Sequence, residues 1–309
     1  MSTSNPAYLE LWRTGQLLRR VNAAFARLAA CTICPRHCGV DRMAGELGDC
    51  RTGELARVSS YGPHHGEEDV LRGRRGSGTI FFTRCNLHCQ FCQNADISQT
   101  DNGDLVTPAE LAAIMLRLQA AGCHNINFVS PSHVVPQILA AVLLAAQAGL
   151  RLPLVYNTGG YDDLATLALL DGVIDIYMPD MKYADPAAGL RYSQAPDYPR
   201  INQAAVKEMH RQVGDLQIDE QGLAVRGLLV RHLVLPNQVA GTQEIARFLA
   251  EEISPNTYLN VMGQYRPAWQ ASRCLDLDRP VTRDEYRAAV QAALNAGLQR
   301  LDSRRRFAW

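Results

Sequence analysis

From Gly78 onward, short apolar runs alternate with segments that carry a helical pattern. This alternation is typical of βαβ units, in which parallel strands form one sheet and helices cover its faces. Six candidate strands fit the pattern, at residues 79–83, 125–129, 152–156, 173–178, 228–235 and 258–262. Six units are too few to close an eight-stranded barrel. A doubly wound Rossmann sheet is the alternative, but no Gly-x-Gly-x-x-Gly motif follows the first strand.

Two helix starts are marked by capping boxes. Thr107-Pro-Ala-Glu110 and Thr282-Arg-Asp-Glu285 each place a glutamate three residues after a capping threonine. An amphipathic pattern predicts a further helix over residues 6–28, before the first cysteines. The segment between the fourth and fifth strands is the longest connection between predicted strands, and it contains a helical pattern at 203–213.

Charge and hydropathy exclude several classes of function. The chain has 31 basic and 31 acidic residues, which gives no broad electrostatic attraction to nucleic acid or anionic lipid. Its longest apolar stretch, at 138–150, is shorter than the roughly 20 residues that a membrane span needs. The first residues lack the basic and apolar regions of a secretory signal. We therefore expect a cytoplasmic protein that binds neither nucleic acid nor membranes.

Seven of the nine cysteines fall into two groups, Cys31, Cys34, Cys38 and Cys50, and Cys85, Cys89 and Cys92. An odd number of cysteines in a reducing compartment argues against disulfides, and such spacings usually hold metal. The second group offers only three thiolates. A structural zinc site needs four ligands, whereas a cubane iron-sulfur cluster on three thiolates keeps one iron open. His88 as a fourth zinc ligand is the alternative, although the loop would have to fold tightly.

The spacing Cys-x3-Cys-x2-Cys, with Phe91 before the third cysteine, resembles the signature of radical S-adenosylmethionine enzymes. In that family the three cysteines bind a 4Fe-4S cluster, whose open iron is chelated by S-adenosylmethionine. Further runs resemble homologues of the pyruvate formate-lyase-activating enzyme, of the PflX-type branch, over roughly residues 30–270: Cys92-Gln-Asn94, Asn127-Phe-Val-Ser-Pro-Ser-His133, Val155-Tyr-Asn-Thr-Gly159, Met178-Pro-Asp-Met-Lys-Tyr183, Arg231-His-Leu-Val-Leu-Pro236 and Gln264-Tyr-Arg-Pro267.

This resemblance implies an open (β/α)6 partial TIM barrel, with the active site at the carboxyl ends of the strands. It also implies which side chains contact the cofactor or an associated cation: Phe91, Ser130, Ser132, Asn157, Thr158, Asp180, Lys182 and His232. The run 130–133 departs from the family, because many members place Gly-Gly-Glu there. An ion pair at a strand end is the alternative role for Asp180 and Lys182.

Other groups have more than one interpretation. The four-cysteine group can hold a structural zinc or a second iron-sulfur cluster, or it can consist of free structural thiols. The cluster of His64, His65, Glu67 and Glu68 fits a solvated turn, or the mouth of the active site if it is functional. We expect three regions: a helical, cysteine-rich metal-binding extension at 1–77, a partial barrel at 78–300 and a basic, solvated tail at 301–309.

The predicted function is that of a radical S-adenosylmethionine oxidoreductase. By resemblance, it cleaves the cofactor reductively to a 5′-deoxyadenosyl radical, which abstracts hydrogen from a glycine of a partner protein, as a glycyl-radical activase does, or from a small molecule. A flavodoxin or ferredoxin is the implied electron donor. An iron-sulfur electron carrier or assembly protein without cofactor turnover is the alternative. A zinc-stabilised nucleic-acid binder is disfavoured by the neutral net charge.

Overall fold

The computed structural model describes residues 5–302. Its helices are α1 (Tyr8–Arg13), α2 (Gln16–Ala26), α3 (Asp69–Arg72), α4 (Ala95–Ser98), α5 (Pro108–Ala120), α6 (Val135–Gln147), α7 (Leu164–Leu170), α8 (Pro186–Ser193), α9 (Tyr198–Val213), α10 (Thr242–Phe248) and α11 (Arg283–Asn295). Its strands are β1 (Ala56–His64), β2 (Ser77–Phe82), β3 (Asp104–Val106), β4 (Ile126–Val129), β5 (Leu154–Thr158), β6 (Ile176–Pro179), β7 (Gln217–Ile218), β8 (Ala224–Leu233) and β9 (Tyr258–Met262).

Six of these strands form a parallel sheet in chain order, β2-β4-β5-β6-β8-β9. Strand β1 pairs antiparallel with β2, and β3 extends the sheet beyond β1. Every residue of β5 and β6 is buried, as expected where helices cover both faces of a parallel sheet. The predicted α/β fold with an open, mostly parallel sheet is confirmed. Its closure into a (β/α)6 partial barrel stays a prediction.

Both predicted capping boxes are present. The amide of Glu110 donates to Oγ1 of Thr107 at 3.2 Å, and the amide of Thr107 donates to the Glu110 carboxylate at 2.8 Å. Thr282 and Glu285 repeat this arrangement at the start of α11. Each box satisfies amides that would otherwise lack a partner at a helix start, so these helices begin where the sequence places them.

The predicted helix at 6–28 is instead two helices, α1 and α2, which are separated at Gly15. This glycine has φ of +70°, a left-handed conformation that ends α1 and turns the chain into α2. Tyr8, Leu9 and Leu17 of these helices are buried in the same core cluster as Ile138 of α6. The boundaries at 77/78 and 300/301 stay predictions, and residues 303–309 of the predicted tail lie outside the described residues. Within 5–302, no helix is both long and apolar enough to cross a bilayer.

Candidate active site

A cavity of about 650 Å³ lies at the carboxyl ends of the parallel strands. Side chains reach it from the ends of successive strands, as the topology of parallel α/β sheets dictates. Its lining includes residues that follow or end these strands: Cys85 after β2, Ser130 after β4, Asn157 and Thr158 at the end of β5, Asp180 after β6, Arg231 in β8 and Asn260 in β9. The sheet therefore gathers residues that are far apart in sequence.

Two non-glycine residues adopt left-handed backbone conformations beside this cavity. Arg84, directly before the first thiol, has φ of +71°, and Ser130 has φ of +58°. Such conformations cost about 1–3 kcal/mol and persist where the surroundings hold them. Arg84 is held by an ion pair between its Nε and Oδ1 of Asp101, at 2.8 Å. The amide of Ser130 donates to the Asn157 carbonyl at 2.9 Å. Both turns direct the chain from a strand end into the cavity wall.

The thiols of Cys85, Cys89 and Cys92 all line this cavity. The Ser193 hydroxyl donates to Sγ of Cys89 at 3.0 Å, and the Leu87 amide lies 3.4 Å from Sγ of Cys85. Burial, followed by the neighbouring thiols, raises the pKa of Cys85 to about 12. Three thiolates therefore need a positive group among them, and three thiolate ligands suit an iron-sulfur cluster. Within residues 5–302, no three or more His, Cys, Asp or Glu side chains are already gathered as ligands of a metal ion.

His88 lies within the same loop but is not part of the cavity lining. Its Nε2 lies 2.9 Å from Oδ2 of Asp49, and its Nδ1 lies 3.4 Å from Oε1 of Gln99. Both ring nitrogens thus have partners other than the three thiols. This placement does not support the alternative in which His88 completes a zinc site with the three thiols.

Phe91 forms an apolar part of the cavity wall, between the second and third thiols. Its ring packs edge-to-face against Tyr265 and Tyr183, with centroid distances of 5.8 and 6.3 Å. These contacts belong to a separate buried cluster that includes Leu87 and Cys89. The aromatic packing fixes the three-cysteine loop and surrounds it with apolar surface, which lowers the local dielectric constant.

Lys182 and Asp180 form an ion pair on the cavity wall, with Nζ 2.6 Å from Oδ2. Burial lowers the pKa of Lys182, but the Asp180 carboxylate and the Cys89 thiol raise it more, so that the net shift is upward. The lysine therefore stays charged beside the thiols. The structure thus contains the ion pair considered from the sequence, at a position that also faces the cavity.

A second charged network was not predicted from the sequence. Arg231 makes two hydrogen bonds to Glu68, of 2.8 and 2.7 Å, and a third to Glu67. Nδ2 of Asn260 also donates to Glu68, at 2.7 Å. Glu67 and Glu68 are 4% and 3% exposed. The carboxylates considered for a surface turn are therefore buried and paired at the edge of the cavity.

His232 and Ser132, two of the predicted cofactor contacts, are not among the lining residues. Side chains alternate along a strand, so that Arg231 and Leu233 of β8 face the cavity while His232 points the other way. His232 contacts the Met181 carbonyl at 2.7 Å and Oγ1 of Thr242 at 2.8 Å. Ser132 lies behind the wall, where its hydroxyl is 2.9 Å from Oγ1 of Thr158.

Thr158 also donates to Asp162, at 2.7 Å, and the Tyr156 hydroxyl donates to the same carboxylate at 2.9 Å. Asp162 is buried, and burial raises its pKa. The sequence analysis did not single out this aspartate. Its position four residues after Thr158, in the turn that follows β5, was the available signal. This network fixes the hydroxyl of Thr158 at the cavity wall.

The four cysteines of the first group lie apart from this cavity. Cys31, Cys34, Cys38 and Cys50 line a second, much smaller cavity, together with Arg42 and His133. The structure therefore keeps the two cysteine groups in separate sites, as their sequence spacing indicates.

His64 lines the large cavity. Its side chain is 43% exposed, and its Nδ1 lies 3.3 Å from Oε1 of Glu67.

Comparison with known proteins identifies the family. The model of the radical SAM superfamily matches residues 79–249. An uncharacterized protein of Methanocaldococcus jannaschii, MJ0674, is 32% identical over 271 residues, which cover 85% of this chain and 74% of the relative.

Two solved structures are similar to this chain at low identity. A radical SAM methyltransferase from Sphaerobacter thermophilus is 15% identical, with a TM-score of 0.48, over 71% of this chain and 64% of that one. Streptococcus suis SuiB bound to S-adenosylmethionine is 13% identical, with a TM-score of 0.49, over 71% of this chain and 47% of that one. The chain thus spans less than two thirds of the length of either structure. On the family match and the curated relative, this chain belongs to the radical SAM superfamily.

Proposed function

We propose that the protein is a radical S-adenosylmethionine oxidoreductase in which Cys85, Cys89 and Cys92 hold a 4Fe-4S cluster. The observation that carries this proposal is the presence of three thiols from one loop on the wall of a cavity of about 650 Å³, beside an ion pair and a charged network. When bound, the cluster and S-adenosylmethionine supply the reductive cleavage that is typical of this superfamily.

The chain itself would bind and orient the cofactor. Lys182 and Asp180 present a cation and an anion to the cavity, which suits the carboxylate and amino groups of a methionyl moiety. Asn157, Thr158 and Ser130 add neutral polar groups, and Phe91 excludes water from the loop. Ser132 contacts the Thr158 hydroxyl and so holds it in place, and His232 contacts the Met181 carbonyl and so holds the chain beside Lys182. We assign these last two residues positioning roles.

The substrate is proposed to be a glycine of a partner protein, as for a glycyl-radical activase. A cluster and S-adenosylmethionine would fill most of a cavity of this size, so a substrate enters through the mouth, where His64 is 43% exposed. A chain segment can present one C–H bond at such a mouth while the rest of the partner stays outside. A small molecule bound at the mouth is the other substrate class.

Three further features complete the proposal. The sheet and its helices form an open (β/α)6 partial barrel at 78–300, preceded by a cysteine-rich extension at 1–77. A reduced flavodoxin or ferredoxin delivers the electron. The resemblance of the motifs to the PflX-type branch of the activating enzymes supports these assignments.

Release of 5′-deoxyadenosine tests the proposed reaction. Anaerobically reconstituted protein, given dithionite and S-adenosylmethionine, should release this product, and Cys89→Ala should abolish the release. Cys123→Ala is the matched control, because Cys123 is buried in the core and does not line the cavity. A protein that holds a cluster but releases no 5′-deoxyadenosine would be an electron carrier or assembly protein instead. Where 5′-deoxyadenosine is released, a glycyl-radical signal in electron paramagnetic resonance would identify a protein partner.

A further inference from the structure

The four-cysteine segment buries three of its four thiols without regular secondary structure. Between the end of α2 and the start of β1, the described residues 27–55 form neither helix nor strand. Even so, Cys31, Cys34 and Cys50 are only 6–7% exposed. Loops usually run over the surface, because buried backbone needs hydrogen-bond partners. A segment of turns that buries most of its cysteines while its other residues mostly stay exposed or half-buried is typical of a chain that folds around a metal ion.

The size of the cavity that these four cysteines help to line favours a single ion over a cluster. The cavity that they line has a volume of about 10 Å³, which is about the space of a single water-sized atom. The cavity of the three-cysteine loop is about 650 Å³. A cubane cluster needs room for eight core atoms, whereas a tetrahedral ion needs room for one. The thiols would close around the ion as it binds, because no ligand set is already assembled within residues 5–302.

Arg42 supplies an independent sign of negative charge at this site. Its side chain is 1% exposed and donates to the carbonyls of Gly53 and His133, at 2.8 to 3.0 Å. Its Nη1 lies 3.9 Å from Sγ of Cys31. Among residues 5–302, no carboxylate forms an ion pair with it in the structure. Buried charges are normally paired. Four thiolates around one divalent cation carry a net charge of minus two, which would give Arg42 its counter-ion.

The same segment holds the three-cysteine loop. The amide of Asp49 donates to Sγ of Cys38 at 3.3 Å, and the Asp49 carboxylate contacts His88 at 2.9 Å and Arg36 at 3.2 Å. Arg36, which lies between two of the four cysteines, donates to the carbonyls of Asn86 and Gln194. His88 and Asn86 belong to the loop that carries the three thiols. A chain of direct contacts therefore joins the two cysteine groups.

We propose that Cys31, Cys34, Cys38 and Cys50 bind a single zinc ion in a closed tetrathiolate site, and that this ion fixes the Arg36–Asp49 contacts that hold the three-cysteine loop. The ion has no open position and takes no part in the chemistry. The zinc site goes beyond the proposed function and does not depend on it. The claim that the ion fixes the contacts to the three-cysteine loop rests on the proposed function in one respect: that function makes the loop the site of the cluster.

Metal analysis tests the zinc site without any reference to turnover. A variant with Cys85, Cys89 and Cys92 replaced by Ala keeps only the four-cysteine group. Purified anaerobically from medium that contains iron and zinc, it should hold about one zinc and almost no iron per chain. Cobalt(II) in place of zinc should give the intense absorption of a tetrahedral tetrathiolate site. Iron with the absorption of a 4Fe-4S cluster, or protein without bound metal, would overturn the proposal.

Alkylation of the loop cysteines tests the coupling. In zinc-loaded, iron-free protein, we expect Asp49→Ala or removal of zinc to speed the alkylation of Cys85, Cys89 and Cys92 about tenfold, as loss of a charge-assisted hydrogen bond predicts. Asp104→Ala removes an exposed carboxylate of β3 and should change nothing. Peptide mass spectrometry reports each rate. Equal rates with and without zinc would contradict the coupling but leave the zinc site standing.

Discussion

The ammonium of Lys182 lies 2.6 Å from Oδ2 of Asp180, and both side chains line the cavity that contains the three thiols. Two residues apart, they share one side of the chain directly after β6. Their side chains are only 16% and 25% exposed, so water screens their attraction weakly. The pair places two opposite charges at fixed positions beside the proposed cluster.

A double-mutant cycle measures this pair. We expect Lys182→Met and Asp180→Asn to show a coupling free energy of about 1–3 kcal/mol in urea unfolding, because each single change leaves a poorly hydrated charge without its partner. The matched cycle uses Lys207 and Glu252, a pair at 2.5 Å whose side chains are 49% and 53% exposed. That coupling should stay below about 1 kcal/mol. Equal couplings for the two pairs would refute the argument from burial.

Arg231 forms ion pairs with two buried glutamates. Replacing it with Met should destabilise the protein by about 3–5 kcal/mol at neutral pH, because Glu67 and Glu68 would lose their counter-ion. The loss should shrink at pH 5, because burial raises the pKa of Glu67 once the arginine that lowers it is gone, and this carboxylate then takes up a proton. Arg211→Met is the control. Arg211 is 58% exposed, and its loss should cost far less than the loss of Arg231. A pH-independent cost would contradict this explanation.

Two glycines with similar positive φ values give a test of close packing. Gly160 and Gly15 have φ of +76° and +70°. A Cβ on Gly160 would lie 2.2 Å from both the Asp180 carbonyl and Nδ2 of Asn202, whereas a Cβ on Gly15, which is in the left-handed region, meets nothing within 4 Å. We expect Gly160→Ala to cost about 3 kcal/mol or more and Gly15→Ala only about 1–2 kcal/mol. Chemical denaturation measures both, and similar costs would show that the backbone angle alone decides.

The capping glutamate of α11 predicts a defined pH dependence. Hydrogen bonds from Arg279, above all, lower the pKa of Glu285 to about 2, from a usual value of 4.5. Because the folded-state pKa is depressed, the stabilisation is complete above about pH 4.5 and is lost as the pH falls toward about 2. Glu285→Gln should therefore cost about 1–2 kcal/mol at pH 7 and little near pH 2.

The control for this pH dependence is Glu251→Gln, which alters an exposed glutamate after α10. It should leave the unfolding free energy within about 0.5 kcal/mol of the wild type at every pH. A constant difference between Glu285→Gln and the wild type across the whole range would contradict the predicted titration.

The sequence predicted those parts of the site that depend on local pattern. The spacing of Cys85, Cys89 and Cys92 and the alternation of strands and helices place three thiols at a strand end, and the structure shows them there. Thr107 and Thr282 cap their helices because a capping box is complete within four residues. Such features need no knowledge of distant parts of the chain.

The contacts that escaped prediction join distant segments. Arg231 and Glu67 are 164 residues apart, and Asp49 and His88 are 39 residues apart. Their meeting depends on strand register and on how the segment before β1 packs, and a single sequence specifies neither directly. His232 shows the effect of register within one strand, since a shift of one residue along β8 exchanges the side chains that face the cavity.

The walls of the large cavity come from His64 through Gln264, almost the full span of the sheet. No shorter stretch of the nascent polypeptide can enclose this space, since the last wall residues follow β9. The cavity beside the proposed cluster is consequently complete only when the ribosome has released nearly all of the chain, whereas the ligands of the proposed zinc site emerge within the first 50 residues. On these proposals, the zinc site can assemble before the larger cavity is complete.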